Sequence, residues 1–252
     1  MGPLGVDTYT IAAIEILSLH PIVNIMQNLT ESLKQTQQVM NDAVVAASRP
    51  VGSVTLLAVS KKQAAEAIRQ VYDLGQTAFG ENYVQEALEK QQFLANLEIQ
   101  WHFIGPIQSN KTRQIAEHFD WVHSVDRLKV AERLSRQRPQ HLPPLNICLQ
   151  VNIDNEPTKS GFSPQELLEH CQSIAALPQL TLRGVMAIPA PSQDYSEQLA
   201  VFKRVQDLYT QLQSTVPTVD TLSMGMSGDI QAAINAGSTM VRVGTGIFGA
   251  RD

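Results

Sequence analysis

The sequence predicts a single (β/α)8 barrel of the α/β class, preceded by an extra N-terminal helix. Three observations carry this. Eight short β-branched or apolar runs alternate with longer amphipathic stretches, the pattern of parallel strands joined by helices. Several of the runs are apolar throughout, as strands covered on both faces require. A chain of 252 residues suits one such barrel, and no tract rich in Pro, Gly or Ser divides it. Eight strands favour a closed barrel over an open doubly wound sheet.

The elements follow in order. A polar helical segment from Leu29 to Ala47 ends at Arg49-Pro50. Strands are expected at Val54–Ser60, Thr77–Gly80, Gln100–Gly105, Trp121–Ser124, Asn146–Asn152, Thr181–Ala187, Val219–Met224 and Thr239–Val243. The helices between them are expected at Gln63–Leu74, Tyr83–Leu94, Lys111–His118, Arg127–Arg136, Ser163–Ala176, Ser196–Ser214 and Gly228–Gly237. Ser163-Pro164-Gln165-Glu166 carries a capping signal with proline at the first helical position.

Residues 26–252 are read as the barrel and residues 1–25 as an appendage. The appendage holds Asp7 and Glu15 and no Lys or Arg, so it lacks the positive start of a secretory signal. Val6 argues against myristoylation. The segment reads as an expression remnant, an over-extended start or a small docking piece, with Met26 as an alternative first residue.

Composition narrows the functional classes. The formal net charge is -5, so no general basic surplus draws nucleic acid or an anionic membrane. No apolar run reaches the ~20 residues of a membrane span. Cys148 and Cys171 stand far apart without CxxC spacing, which argues against a disulfide framework or a cysteine zinc site. They read as reduced, buried thiols of a cytoplasmic protein. The six histidines include no HxxxH pair, and no metal site is expected.

In such a barrel the active site lies at the C-terminal strand ends, with phosphate often held by the loops after the seventh and eighth strands. The first strand ends in Ser60-Lys61-Lys62. A desolvated lysine there forms a Schiff base with an aldehyde; the plainer alternative is a pair of solvated lysines opening a loop. The seventh strand runs into Gly225-Met226-Ser227-Gly228-Asp229 and a helix start, which suits a phosphate, or else is an ordinary cap by Ser227 or Asp229. The eighth is followed by Gly244-Thr245-Gly246, small residues with one hydroxyl, or plain turn glycines. Arg242 precedes it, placed to meet an anion or a ligand ring, or to form a structural ion pair. Glu81, Asn82 and Tyr83 end the second strand and could line the mouth. His102, inside an apolar run, reads as a satisfied core histidine.

The segments LLAVSK (56–61), FGENYVQEALEK (79–90), WHFIGPIQSNK (101–111), HSVD (123–126), QVNID (150–154), KSGF (159–162), RGVMAIP (183–189), LSMGMSGD (222–229) and VRVGTGIFGAR (241–251) together resemble the pyridoxal phosphate homeostasis protein family, across about Met26 to Asp252. The resemblance implies a TIM-like barrel similar to the N-terminal domain of alanine racemase. It also implies pyridoxal 5′-phosphate (PLP) held as a Schiff base on Lys61 and not Lys62. Ser227, Gly244 and Thr245 would hold the phosphate, with backbone help near Met226. Arg242 would lie near the pyridine nitrogen or the phosphate, and Asn82 would face the cofactor. The family suggests a monomer; the sequence does not name a recipient of PLP, and PLP-dependent apo-enzymes are the candidate partners.

Two readings compete. In one, the protein buffers or delivers PLP with little or no turnover. In the other, it is a PLP-dependent amino-acid racemase. A racemase needs a second acid/base, which in alanine racemases a partner's C-terminal domain supplies; this sequence ends just after the barrel. An arginine facing the ring nitrogen would also disfavour its protonation and mute carbanion chemistry. A PLP-free lysine aldolase is a third, weaker alternative.

Overall fold

The computed structural model describes residues 28–156 and 158–249. The expectations for residues 1–25 lie outside the described residues. The extra helix α1 covers residues 28–46. Then β1 (Thr55–Val59), α2 (Ala65–Asp73), β2 (Ala78–Glu81), α3 (Val84–Phe93), β3 (Gln100–Phe103), α4 (Thr112–His118), β4 (Trp121–Val125) and α5 (Leu128–Gln137) form the first half. The second half is β5 (Leu145–Val151), α6 (Pro164–Ala175), β6 (Leu180–Ala187), α7 (Tyr195–Thr215), β7 (Thr221–Ser223), α8 (Ile230–Asn235), β8 (Met240–Val243) and α9 (Thr245–Phe248).

All neighbouring strands pair in parallel, in sequence order, and β8 returns to β1 to close the barrel. Leu57 stands opposite Arg242 in that closing pair, which brings the first and last strands' functional ends together. Both faces of the strands are buried, β1 by residues such as Leu56 and Leu57 and β8 by Val241 on one face and Arg242 on the other. This is the continuous apolar patterning seen in the sequence. Gly184 allows β6 and β7 to touch: a Cβ there would sit 1.6 Å from the Thr221 carbonyl oxygen.

The sequence-based elements match within a few residues. The capping box at Ser163 is present, with the Glu166 N–H donating to Ser163 Oγ and the Ser163 N–H donating to Glu166 Oε2. The segment after β8, read as a loop, forms the one-turn helix α9. Both cysteines are buried free thiols, and burial pushes Cys148 up to about 12. Among the described residues, no helix is long and apolar enough to cross a membrane.

The base of the barrel is closed by Arg49, whose guanidinium donates to the carbonyls of Ile234 (3.0 Å), Ser238 (2.7 Å) and Ser53 (3.3 Å). Helix α1 also touches the mouth, where Thr36 Oγ1 donates to the Gly246 carbonyl at 3.1 Å.

Candidate functional site

The C-terminal strand ends enclose a cavity of about 230 Å³ lined by Val59, Lys61, Ile104, Met226, Ser227, Gly228, Arg242, Gly244 and Thr245. Six of the seven residues singled out from the sequence therefore meet in one cavity. Asn82 lines a separate cavity with Tyr83, Phe103 and Pro106. Its Oδ1 is buried with no hydrogen-bond partner, a polar atom still able to accept.

Lys61 sits on a turn directly after β1 and is partly buried. The turn is fixed from both sides. Before it, the Ser60 N–H donates to the Gly80 carbonyl (3.0 Å), and the Ser60 hydroxyl donates to Glu81 Oε1 (2.7 Å). After it, the Lys62 N–H donates to Glu86 Oε1 at 2.5 Å. Lys62 has a φ of +62°, a left-handed conformation uncommon for residues with a Cβ. The Glu86 contact holds it there.

A buried cation ties these contacts together. Lys90 Nζ donates to the Ser60 carbonyl (2.8 Å), to Glu81 Oε1 (2.8 Å) and to Glu86 Oε1 (2.6 Å). Glu81 is fully buried, and desolvation raises its pKa, against the opposing pull of Lys90 and Ser60. Sequence reasoning placed Glu81 at the mouth among residues that could line it. The structure turns it away, beneath α3, because strand side chains alternate and Gly80 takes the inward position against Leu57 and Ile104. Glu86 and Lys90 were missed. Their i,i+4 spacing on one helix was the available signal.

The opposite wall is built from the loops after β7 and β8. The Ser227 and Thr245 hydroxyls lie 3.3 Å apart, both exposed toward the cavity mouth. Gly246 is required by packing: a Cβ there would meet Val243 Cγ1 at 2.8 Å, Thr36 Oγ1 at 3.3 Å and Ser227 Oγ at 3.5 Å. The first N–H groups of α9 have no intrahelical partner. Asp229 does not cap α8 through its side chain; it accepts the Met226 N–H at 2.5 Å. The Met226 N–H is thus engaged within its own loop, while its side chain lines the cavity.

Arg242 is buried, and its Nη1 donates to the Ser223 carbonyl (2.7 Å) and hydroxyl (2.8 Å), its Nη2 to the Ala187 carbonyl (2.9 Å). It forms no ion pair with an acid among the described residues. Desolvation lowers its pKa to about 10, so it stays cationic at neutral pH. One cavity thus offers an amine, two hydroxyls, small-residue backbone and a fixed guanidinium. That donor set fits a small phosphorylated aldehyde with a heteroaromatic ring.

The model of the alanine racemase N-terminal domain matches residues 34–252. A pyridoxal phosphate homeostasis protein of Pasteurella multocida is 53% identical over 228 residues, covering 89% of this chain and 98% of that protein. Its counterpart in Escherichia coli K12 is 50% identical over 230 residues, covering 90% and 98%. The structure of PipY from Synechococcus elongatus with PLP bound superposes with a TM-score of 0.76 at 39% identity, covering 88% of this chain and all of that one. An alanine racemase of Clostridium difficile shares the fold, with a TM-score of 0.70 at 13% identity, over 89% of this chain and 57% of the racemase. With half of its residues shared over nearly its whole barrel, the chain belongs to the pyridoxal phosphate homeostasis protein family.

Proposed function

We propose that this protein holds and releases PLP in intracellular PLP homeostasis, with Lys61 as its covalent anchor. The observation that carries the reading is the single cavity that joins Lys61 to Ser227, Thr245 and Arg242. When bound, the cofactor supplies an aldehyde that condenses reversibly with a primary amine. Lys61 presents that amine from a turn held on both sides. Ser227, Thr245 and the backbone at Gly244 receive the phosphate. Met226 packs beside them. Arg242 meets the ring nitrogen or the phosphate, and Asn82, which lines a separate cavity, has a buried Oδ1 still able to accept from the cofactor.

The same geometry favours storage over turnover. Among the described residues lining the cavity, Lys61 and Arg242 are the ionisable ones. A two-sided proton transfer needs a second acid/base facing Lys61. A cationic guanidinium beside the ring nitrogen also opposes its protonation. Two free buried thiols fit a reducing cytoplasm. We place the protein there as a monomer that hands PLP to apo-enzymes.

The test is an absorbance spectrum of PLP-loaded protein before and after borohydride reduction, followed by peptide mass mapping. A pyridoxyl group on Lys61 is expected. A colourless protein that cannot be loaded, or a label elsewhere, would refute the assignment. A racemase or lyase rate that matched dedicated enzymes and vanished in Lys61→Ala would refute the storage role.

A further inference from the structure

The hydrogen bonding of Arg242 does not end at Ser223. Ser223 Oγ lies 2.9 Å from His123 Nδ1. His123 Nε2 lies 2.9 Å from His102 Nδ1, and His102 Nε2 lies 2.9 Å from Gln100 Oε1. Ser223, His123 and His102 are fully buried, while Gln100 opens β3 at the exposed base of the barrel. A file of polar side chains therefore crosses the interior from mouth to base.

Its direction is fixed at both ends. A guanidinium only donates, and an amide oxygen only accepts. His102 must then carry its proton on Nε2 and accept at Nδ1. His123 donates to it from Nε2 and accepts at its own Nδ1. The Ser223 hydroxyl donates to His123 and accepts from Arg242. Every donor points the same way, so the bonds polarise one another, and a hydroxyl that donates is the stronger acceptor. Burial pushes His102 down to about 3, and burial with the neighbouring His102 and Arg242 pushes His123 well below its ordinary value. Both rings are neutral at pH 7, as the file requires.

Barrel interiors are ordinarily filled by branched apolar side chains. Filling this one with two imidazoles and a hydroxyl adds little stability over apolar packing. We propose that His102 and His123 are positioning residues: with Ser223 they form a one-way hydrogen-bond file that fixes the Arg242 guanidinium at the Lys61 cavity. The proposal rests on the reading of Arg242 as a PLP contact.

Nitrogen-15 NMR of histidine-labelled, cofactor-free protein tests the file without the cofactor. Both rings are expected as neutral Nε2–H tautomers from about pH 5 to 8, the range where a free histidine titrates. An Nδ1–H tautomer or an imidazolium at either ring in that range overturns the file. Titration with PLP then tests positioning. His123→Leu is expected to bind about tenfold more weakly, with a shifted absorbance band, the loss of one hydrogen bond serving a charged group. His123→Asn, whose Oδ1 takes the place of Nδ1 toward Ser223, should recover much of the affinity. Should His123→Leu fail to fold, Ser223→Ala removes only a hydroxyl and is expected to weaken binding in the same direction. Wild-type affinity and spectrum in a folded variant overturn the positioning role. A wild-type protein that binds no PLP overturns the cavity reading itself, and the NMR result still judges the file separately.

Discussion

The two walls of the cavity are held in different ways. On the β1–β2 side, the Lys61 turn is tied to a cluster of buried Lys90, buried Glu81 and half-buried Glu86. On the β7–β8 side, glycines and exposed hydroxyls form a cradle whose bonds are local, such as Met226 N–H to Asp229 and the Ser227–Thr245 hydroxyl pair. The Lys61 turn is therefore fixed by side chains of β2 and α3, while the cradle keeps the Ser227 and Thr245 hydroxyls exposed. The contrast fits the reactions each wall would serve. An amine that must meet an aldehyde in one orientation gains from a fixed backbone. A phosphate, symmetric and strongly accepting, is caught by small groups that adjust.

Substitutions can break this contrast, beginning with the largest expected effect. Lys61→Ala should abolish borohydride-trapped labelling entirely while leaving weak, non-covalent binding through the cradle, read by equilibrium dialysis. Loss of both together would mean that the walls do not act separately. Lys90→Met removes the cation beneath the anchor and strands the Glu81 carboxylate. Breaking such a buried pair costs about 3–5 kcal/mol, measured by urea unfolding. A variant as stable as wild type would show that the cluster does not hold the turn. Gly246→Ala forces a Cβ against Val243 Cγ1 and should cost about 1–3 kcal/mol of stability, with PLP affinity falling and Lys61 labelling surviving at high PLP. Ser227→Ala should weaken PLP binding about fivefold, one hydrogen bond's worth, without changing stability.

The smallest effect concerns pH and sharpens the account of the anchor side. The folded-state pKa of Glu81 is raised, chiefly by desolvation. Its contribution is present below its unfolded pKa of about 4.3 and is lost as pH rises through the higher folded value. Glu81→Gln, unable to ionise, should therefore gain stability relative to wild type as pH climbs above about 4.3. Urea titrations at several pH values read the difference. A gap that stayed flat, or moved the other way, would mean that Glu81 is not held against its charge.

Most of the barrel was legible in the sequence because alternation of apolar runs with amphipathic stretches is a local signal. That Ser227, Gly244 and Thr245 share one cavity with Lys61 was legible for a similar reason: they follow strands whose place in the barrel the count had fixed. What escaped were contacts between elements distant in sequence. Glu86 and Lys90 look like an ordinary surface pair on α3; only the packing of that helix over β1 and β2 shows that they clamp Ser60 and Lys62. The His102–His123–Ser223 file joins three strands, and no spacing rule links residues 100 positions apart. His102 read as a satisfied core histidine, and the structure finds it fully buried with partners on both ring nitrogens. Asn82 depended on loop shape after β2, which propensity does not encode, and it lies outside the cavity that joins the other six.

The contact between Thr36 and Gly246 joins residues 210 positions apart. During synthesis Lys61 leaves the ribosome well before Thr245 and Gly246, with most of the barrel made between them. A nascent or truncated chain would display the reactive amine without the loop that recognises phosphate. Under the function proposed, discrimination would switch on only once β8 and its loop are in place, so the ability to retain PLP would certify a closed barrel.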